Sequence, residues 1–331
     1  MKDLIKTEGI DCDLQPTGRI QLAWSEADFT AQKRLAEVAR DKGGVDCKVL
    51  GRNDIGNEIR TEQYFGGLLF PEHCAIHPQK FHTNLLARCL TRGVSVTGNC
   101  SAKAIKRTGQ GFEVQAGGHR IRAKRVLLAT NGYTPRTLTP LARQVFPVPS
   151  YLIATEPLDP EVIKDLAPGG RMMVETRSTH SYFRASPDGR RILFGGRAAL
   201  VPIGLDQAAA RLREIMGQIW PSMASVRLSH VWTGNTGYSF THMPHVGVQD
   251  GVHYAAGFSG SGTVMAPYLG AKAAWQALDD PRGETAYSNT DLETRWFHRG
   301  GSPAFMQGAN LWYRHGVDAR EKRLGRDQSV F

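Results

Sequence analysis

Alternating and helical apolar patterns follow one another near the start of the chain. Residues 19–24 alternate between apolar and polar side chains, as in a half-buried strand. Ser25 stands three positions before Asp28, which is the spacing of a helix-capping box. The buried side of the helix that follows is predicted from three apolar positions, Phe29, Leu35 and Val38.

A second helix is predicted from the sequence HPQKF onward. Pro78 suits the first turn of a helix, and Gly93 ends the helical pattern. Its apolar side is predicted to consist of Phe81, Leu85, Leu86 and Leu90.

Short β-rich segments follow at residues 94–97, 102–106, 112–115 and 125–129. The last of them, in RVLLATNG, is a continuous apolar run that stops at Asn-Gly. Such a run is typical of a buried strand in a parallel sheet, and a turn of buried helix is the alternative.

The pattern changes between residues 146 and 250. The segments SYLIATEPL, RMMVET, SYFRASPDGRRILFGGR and VRLSHVWTG are alternating or β-branched, and Ser-Pro-Asp-Gly predicts a hairpin turn. One amphipathic helix is predicted over residues 207–219. The segment therefore predicts a mostly antiparallel sheet with a helix, inserted into a domain to which the chain returns at residue 251.

The composition is that of a folded protein with an excess of basic residues. The 331 residues are 41% hydrophobic, and the chain is long enough for two domains. The formal net charge is +10, but Lys and Arg are dispersed except over residues 314–326, where Asp318 and Glu321 interrupt them. This distribution favours a solvated surface over a nucleic-acid site, so no nucleic-acid partner is expected.

Two further features bear on location. The start, MKDLIKTEGIDCD, has no apolar signal segment, which predicts a cytoplasmic protein. Residues 251–271 carry no charge and are long enough to cross a bilayer. Their Gly and Ser content indicates a buried strand, turn and helix instead, and no membrane partner is expected.

The five cysteines lie in the first third of the chain without a C-x-x-C pair, so reduced thiols are expected. No metal site is expected, because the rest of the chain offers no cysteine ligand. His77, His242 and His245 are interpreted as capping or core-edge histidines rather than catalytic bases.

A glycine-rich turn stands between the apolar segment 252–256 and a helix that runs to Leu278. Glycine lets the backbone approach a ligand closely, and the free N–H groups of a helix start favour negative charge. A turn used only for strand–helix packing is the alternative. A serine-hydrolase nucleophile elbow is disfavoured because GFSGS has Ser261 where its second glycine should stand. The turn consists of Gly257, Phe258, Ser259, Gly260, Ser261 and Gly262.

Five segments, ATNGYTP, SYLIATEPL, SYFRASPDGRRILFGGR, MPHVG and AAGFSGSG, occur in that order between residues 10 and 278. Together they resemble the FAD-dependent D-amino-acid oxidase family, with most similarity to its γ-glutamylputrescine oxidoreductase branch. The resemblance implies oxidation of the C–N bond of a small-molecule amine or amino acid, with hydride transfer to FAD.

The implied fold is α/β (α+β): an incomplete FAD-binding domain of the glutathione-reductase-like type with an inserted antiparallel-sheet substrate domain. Residues 1–145 are assigned to the first part of the FAD-binding domain, although some segments can belong to the substrate domain. Residues 146–250 form the predicted substrate domain, 251–290 the returning strand and helix, and 291–331 a C-terminal extension.

The resemblance also implies cofactor contacts. The strand at Ala102 would meet the adenine, and a helix start aimed at N1 and the C2 carbonyl of the ring would raise the reduction potential of the flavin. The loop near the dinucleotide is Thr130, Asn131, Gly132 and Tyr133, and the segment around the ring is Gly257 to Gly262 with Thr263 and Val264. Trp232 and Gly234 match the strand beside the ring.

Substrate contacts are predicted on the SYFR strand. Tyr182 and Arg184 share a face by the period of two, so a phenol and a guanidinium could together hold a carboxylate. Arg197 follows two glycines and could reach the flavin edge. For all three residues a half-buried or solvent-exposed structural role is the alternative. No acid–base pair is assigned, because flavin amine oxidation needs mainly an aligned neutral amine.

The sequence departs from the family in three places. Ser261 stands where this branch usually has His, and Thr241 where it has Asp. The chain also lacks the opening G-x-G-x-x-G unit that binds the FAD pyrophosphate. The expectation is therefore that the chain alone does not hold FAD tightly. An alternative function is that of a truncated, non-catalytic remnant, acting as a binding module or as a subunit that needs a separate N-terminal FAD-binding polypeptide. Such a remnant could pair with a partner chain, or oligomerise, at the edge of its incomplete sheet.

Overall fold

The computed structural model describes residues 1–136, 138, 140–288, 290 and 292–321. The predicted extension 291–331 and the basic segment 314–326 lie partly outside these residues. The α-helices are α1 (Lys2–Glu8), α2 (Glu26–Gly43), α3 (Arg52–Ile55), α4 (Pro78–Thr91), α5 (Pro160–Leu166), α6 (Leu205–Ile219), α7 (Gly262–Ala277) and α8 (Phe305–Trp312).

The strands run through both halves of the chain. They are β1 (Arg19–Ala23), β2 (Lys48–Gly51), β3 (Gly66–Phe70), β4 (Ala102–Thr108), β5 (Gly111–Ala116), β6 (His119–Ala123), β7 (Leu127–Leu128), β8 (Val145–Thr155), β9 (Met172–Glu175), β10 (Ser181–Ala185), β11 (Ile192–Gly196), β12 (Leu228–Ser239), β13 (His245–Gln249) and β14 (Val252–Ala256). No helix in the described ranges is long and apolar enough to cross a bilayer.

The described chain divides into two compact units. Residues 11–81, which fall in the predicted first domain, group with the strands of the predicted substrate domain. Unit 1 comprises Met1–Ile10, His82–Pro149 and Asn235–Met306, and unit 2 comprises Asp11–Phe81, Ser150–Gly234 and Gln307–Phe331, the last described as far as residue 321.

Unit 2 is built on an eight-stranded mixed sheet with the order β12-β8-β11-β10-β9-β1-β3-β2. β1 pairs parallel with β9 and antiparallel with β3. β10 and β11 form an antiparallel hairpin that turns at the predicted Ser-Pro-Asp-Gly. The mixed sheet arises because the early strands β1, β2 and β3 join the strands of the predicted substrate domain.

Helix α6 packs on one face of this sheet and confirms the amphipathic helix predicted over residues 207–219. Its buried residues Leu212 and Met216 are four positions apart, and they share a core cluster with Phe183 and Phe194 of the hairpin. Strand side chains alternate between faces, so Tyr182 points to the opposite face from Phe183.

Helix α2 begins at the predicted capping box, and its predicted buried side is only partly correct. Phe29 is half-buried and its ring packs against Gly66 of β3. Leu35 and Val38 are 46% and 51% exposed, whereas Gln32 and Ala36 are buried. The Gln32 side chain donates a hydrogen bond to the Gln21 backbone carbonyl at 2.9 Å. A polar residue can therefore face the sheet because its amide is hydrogen-bonded there.

Two other apolar patterns are corrected by the structure. In α4, Phe81 is buried but Leu90 is exposed, so the predicted apolar side is only partly correct. Residues 94–97 form no strand, and Val94 and Val96 are exposed. A segment with alternating apolar and polar residues forms a strand only when a neighbouring strand pairs with it, and the alternation does not specify that neighbour.

Unit 1 contains two three-stranded sheets, β13-β14-β7 and β4-β5-β6. β14 pairs antiparallel with β13 and parallel with β7, so the predicted parallel pairing is confirmed, although only two residues of RVLLAT are paired. The predicted burial of this strand is wrong, because Leu127 and Ala129 are exposed and only Leu128 is buried. α7 packs on β13 and β14 through Leu269 and Ala273, which share a cluster with Val246 and Ala255. The predicted strand, turn and helix over residues 251–278 are thus confirmed.

Candidate functional site

The candidate residues fall into two groups, one in each unit. In unit 1 the first element is the glycine-rich turn that follows β14. Gly257 has a φ of +73°, and a Cβ there would lie 3.1 Å from the Ser239 Cβ. Ser259 donates its backbone N–H to the Gly237 carbonyl at 2.9 Å and its hydroxyl to the Gly257 carbonyl at 3.0 Å. These contacts fix the course of the turn before α7 begins.

The loop at residues 130–133 is bonded to this turn. Asn131 has a φ of +42°, and its Oδ1 accepts the Gly257 backbone N–H at 3.0 Å. A Cβ on Gly132 would lie 2.8 Å from the Gly237 backbone nitrogen, so only glycine fits at this contact. The Tyr133 hydroxyl accepts the Asn235 backbone N–H at 2.8 Å. The structure therefore brings together two segments that the sequence assigned separately to the cofactor.

The start of α7 has no side-chain cap. Ser261 is its N-cap residue, but the Ser261 hydroxyl donates to the Phe258 carbonyl at 2.6 Å instead of accepting from the helix. Gly260, Ser261 and Thr263 are exposed. The N–H groups of a first helical turn have no partner within the helix, so this start can bind the acceptor atoms of a ligand. The chemistry of these donors fits the pyrimidine edge of a flavin ring.

Other predicted cofactor residues are also located by the structure. Ala102 begins β4 and packs against the cluster around Phe112 and Leu128 in unit 1. Trp232 and Gly234 lie on β12 in unit 2 and are exposed. Their roles toward a cofactor stay predictions.

In unit 2 the candidate residues lie on the sheet face opposite α6. The Tyr182 ring lies over Gly195, where a Cβ would come within 2.2 Å of the ring. Gly195 is therefore required for this position of the phenol. The Tyr182 hydroxyl forms a short hydrogen bond with the Ser150 hydroxyl on β8.

A histidine and an arginine stand at the open end of the β10–β11 hairpin. Ser181 and Gly196 are the last paired residues, and His180 and Arg197 are the residues next to them beyond the ends of the two strands. The rings of His180 and Tyr182 are 6.3 Å apart. Burial lowers the pKa of His180, and the charge of Arg197 lowers it further. This patch of a phenol, an imidazole and a guanidinium can bind an anionic group.

Arg184 has a structural contact that the sequence did not predict. Its guanidinium Nη2 donates to the Ile76 backbone carbonyl at 3.0 Å, and burial lowers the pKa of Arg184. Arg184 lies on the face of Tyr182, as predicted, with one of its donors occupied by the protein itself.

Sequence reasoning missed several residues of these two groups. His180 follows from the same period of two that selected Tyr182 and Arg184, so its signal was present. Ser150 depends on the pairing of β8 with β11, which the sequence does not specify. His77 was expected to cap a helix, and its Nδ1 accepts the Lys80 backbone N–H at the start of α4.

Comparison with known proteins identifies the class to which this fold belongs. A family model described as FAD dependent oxidoreductase (DAO) matches residues 1–275. The chain belongs to this family, as the sequence motifs predicted.

Two relatives illustrate the similarity. Probable oxidoreductase OrdL of Rhizobium meliloti (strain 1021) is 30% identical over 232 residues, which cover 69% of this chain and 53% of the relative. Gamma-glutamylputrescine oxidoreductase of Escherichia coli (strain K12) is 25% identical over 291 residues, which cover 87% of this chain and 68% of the relative. The chain thus spans about half the length of the first relative and about two thirds of the second.

The fold is similar to that of glycine oxidase from Geobacillus kaustophilus. The TM-score is 0.73 at 18% sequence identity, and the match covers 89% of this chain and 79% of that chain. The similarity confirms the predicted α/β fold class of an FAD-binding protein.

Proposed function

We propose that the chain binds FAD and takes part in oxidising the C–N bond of a small-molecule amine or amino acid, in the manner of gamma-glutamylputrescine oxidoreductase. The observation that carries this proposal is the bonded pair of segments in unit 1, in which Asn131 fixes Gly257 in the turn that leads to the uncapped start of α7. FAD, when bound, supplies the acceptor for the electron pair of the C–N bond.

The residues of the chain have separate tasks in this proposal. The N–H groups at the start of α7 bind the acceptor atoms at the pyrimidine edge of the flavin and favour negative charge there. Tyr182, His180 and Arg197 bind an acidic group of the substrate in unit 2. The five cysteines are free thiols, which agrees with the proposed cytoplasmic location.

The proposal is tested by titrating the full chain with FAD and following the quenching of flavin fluorescence. Asn131→Ala removes the acceptor for the Gly257 N–H and should weaken flavin binding about tenfold, the effect of one neutral hydrogen bond. The matched control is Asn53→Ala, which changes an exposed asparagine and should leave the affinity unchanged. Unchanged affinity in both variants would remove the Asn131 loop from the flavin site.

Oxidation is tested on the protein loaded with FAD under anaerobic conditions. A panel of amines and amino acids, including γ-glutamylputrescine, is added and the loss of flavin absorbance is followed. Arg197→Ala should raise KM for acidic substrates about tenfold or more, because a hydrogen bond to a charged group contributes about 1.5 to 3 kcal/mol. A chain that binds FAD but bleaches with no amine would contradict the proposed activity.

A subunit role is the second candidate, and the edge strand β7 favours it. β7 pairs with β14 and is an end strand of its sheet, and Leu127 on it is 38% exposed. An unpaired strand edge is a template for a strand from another chain. Oligomeric state measured by light scattering at several concentrations, for the wild type and Leu127→Lys, tests this alternative.

A further inference from the structure

A histidine in unit 1 lies buried behind the glycine-rich turn, with a hydroxyl group on either side. His245 is 1% exposed. Its Nε2 is 2.8 Å from the Thr241 hydroxyl, and its Nδ1 is 2.7 Å from the Thr290 hydroxyl. Both ring nitrogens are therefore hydrogen-bonded.

The acceptors around the ring indicate which nitrogen carries the proton. The Thr290 hydroxyl donates to the Tyr287 carbonyl at 3.2 Å, so it is free to accept from the imidazole. Because the proton of the Thr290 hydroxyl is directed at the Tyr287 carbonyl, this hydroxyl accepts the proton of Nδ1, which leaves Nε2 as the acceptor for the Thr241 hydroxyl. Burial lowers the pKa of His245, which favours this neutral ring.

The Thr241 side of the imidazole leads to the turn. The Thr241 hydroxyl oxygen accepts the Met243 backbone N–H at 3.3 Å, and the Met243 carbonyl accepts the Ser239 hydroxyl at 2.8 Å. Ser239 in turn donates its backbone N–H to the Ser259 hydroxyl at 3.3 Å. The imidazole also stands directly behind Gly257, because a Cβ there would lie 3.6 Å from the His245 Cδ2. The Thr290 side leads away from the turn, to the Tyr287 carbonyl.

We propose that His245 is a positioning residue for the turn at residues 257–262, and that it acts through the hydrogen bond that its Nε2 accepts from Thr241. The neutral ring fixes the Thr241 hydroxyl, which fixes Met243 by accepting its backbone N–H. The Met243 carbonyl then holds the Ser239 hydroxyl, which keeps Ser239 against Ser259 and behind Gly257. Asn131 fixes Gly257 from its amide side, so the peptide group of Gly257 is held on two sides. The link to flavin affinity rests on the function proposed above.

Two isosteric variants separate the two sides of the ring. His245→Gln places a carbonyl oxygen near the position of Nε2 and keeps an acceptor for Thr241. His245→Asn places an amide nitrogen near the position of Nδ1 and keeps only the donor to Thr290. We expect riboflavin binding, measured by fluorescence quenching of the full chain, to weaken about tenfold in the Asn variant and less than about threefold in the Gln variant. Losses of similar size in both variants, or in neither, would overturn the proposal.

A second pair of variants keeps the test valid if either histidine variant fails to fold. Thr241→Val removes the contact on the side of the turn, and Thr290→Val removes the contact on the far side. Thr241→Val should behave like the Asn variant, and Thr290→Val should bind riboflavin like the wild type. Weaker riboflavin binding in Thr290→Val than in Thr241→Val would contradict the proposal that His245 acts through Thr241.

Amide hydrogen exchange distinguishes failure of this inference from failure of the proposed function. Without any flavin, the amides of Ser239 and Gly257 should exchange faster in His245→Asn and Thr241→Val than in His245→Gln and Thr290→Val. Nitrogen NMR of the wild-type imidazole should show protonated Nδ1 and unprotonated Nε2 at neutral pH. If the wild type binds no flavin, the proposed function fails, and the exchange pattern and the NMR signals still decide the positioning role.

Discussion

Glu175 is a fully buried carboxylate in unit 2, and three donors surround it, two from the following residues and one from a distant part of the chain. The Tyr64 hydroxyl donates to it at 2.9 Å, the Arg177 Nε at 2.8 Å and the Ser181 backbone N–H at 2.9 Å. The Arg177 guanidinium also lies 4.0 Å from the centre of the Trp24 ring. Burial and the neighbouring carboxylate raise the pKa of Tyr64 well above 10, so the phenol stays a donor.

Glu175→Gln should destabilise the protein by about 3 to 5 kcal/mol, because it leaves the buried Arg177 charge without compensation. The free energy of unfolding from urea titration measures this change. The matched control is Glu161→Gln, which removes an exposed carboxylate 4.0 Å from Lys164 and should cost less than about 1 kcal/mol. Equal effects in the two variants would mean that the Glu175 network contributes no more than an exposed pair.

His298 in unit 1 links the stability of the protein to pH. It is buried among the rings of Phe146, Phe240 and Phe305, and its Nε2 lies 3.2 Å from the Ala142 carbonyl. Burial lowers the pKa of His298 below the ordinary 6.5. Between the folded and unfolded pKa values the unfolded chain binds more protons, so this contribution to stability is present above pH 6.5 and is lost as the pH falls.

His298→Phe should therefore flatten the fall in the free energy of unfolding between about pH 7.5 and 5.5. The measurement is a series of denaturant titrations at several pH values for both proteins. The variant also loses the contact with Ala142, which lowers its free energy of unfolding at every pH. The change in the free energy of unfolding with pH is therefore the quantity to compare. Parallel curves for the two proteins would show that His298 is not protonated on unfolding in this range.

The residues of the candidate site could be predicted only in part. The turn at 257–262 and the loop at 130–133 each have a local sequence signal, and the structure brings them together through Asn131 and Gly257. Glu175 lies in a segment whose alternation indicated only a strand. Its donor Tyr64 is specified by a tertiary contact, which periodicity does not contain.

At the level of elements, glycine has different effects on stability in helix α7 and in strand β12. Gly270 lies in the middle of this helix, and a Cβ added there would meet nothing within 4 Å. A Cβ on Gly237 in β12 would lie 2.2 Å from the Asn131 Oδ1 and 2.7 Å from the Gly132 backbone nitrogen. Glycine is thus required for packing at one position and only lowers helix stability at the other.

Gly270→Ala should raise the free energy of unfolding by about 0.5 to 1 kcal/mol, because alanine has the higher helix propensity and the site has room for its methyl group. Thermal and urea unfolding measure the change. Gly237→Ala is the matched comparison and should lower stability and disturb the Asn131 loop. A loss of stability in Gly270→Ala would show that this face of α7 has a contact partner in solution.

Elements with strong local signals were predicted well, and those that depend on packing were not. The capping box of α2, the hairpin between β10 and β11 and the turn before α7 are fixed by short-range chemistry, and all three are confirmed. The buried side of α2 was wrong at Leu35 and Val38, because Gln32 and Ala36 take the place of larger apolar residues at the sheet. The predicted strand at 94–97 was wrong because alternation does not specify a pairing partner.

For the whole molecule, the starts of its helices decide which parts of FAD the described chain can bind. The start of α7 is uncapped and exposed. By contrast, α2 follows β1 with its first turn capped by Ser25 and with Glu26 and Asp28 in that turn. The start of α6 has Asp206 in its first turn. Acidic residues at a helix start repel phosphate, so neither α2 nor α6 offers a favourable site for the pyrophosphate.

Of these three helix starts, that of α7 suits the ring of the cofactor and those of α2 and α6 do not suit its diphosphate. On the proposed function, riboflavin, FMN and FAD should therefore bind the full chain with similar affinities. We expect the dissociation constants of riboflavin and FAD to differ by less than about tenfold, which corresponds to about 1.4 kcal/mol. A Gly-rich helix start around the pyrophosphate would make FAD much the tighter ligand, because its N–H donors bind two negative charges. Fluorescence titrations of the three flavins under one set of conditions measure the ratios, and lumichrome, which has the ring without the ribityl chain, serves as a control for the ring contacts. FAD binding a hundredfold tighter than riboflavin would show that the chain binds the diphosphate through residues other than those at these helix starts.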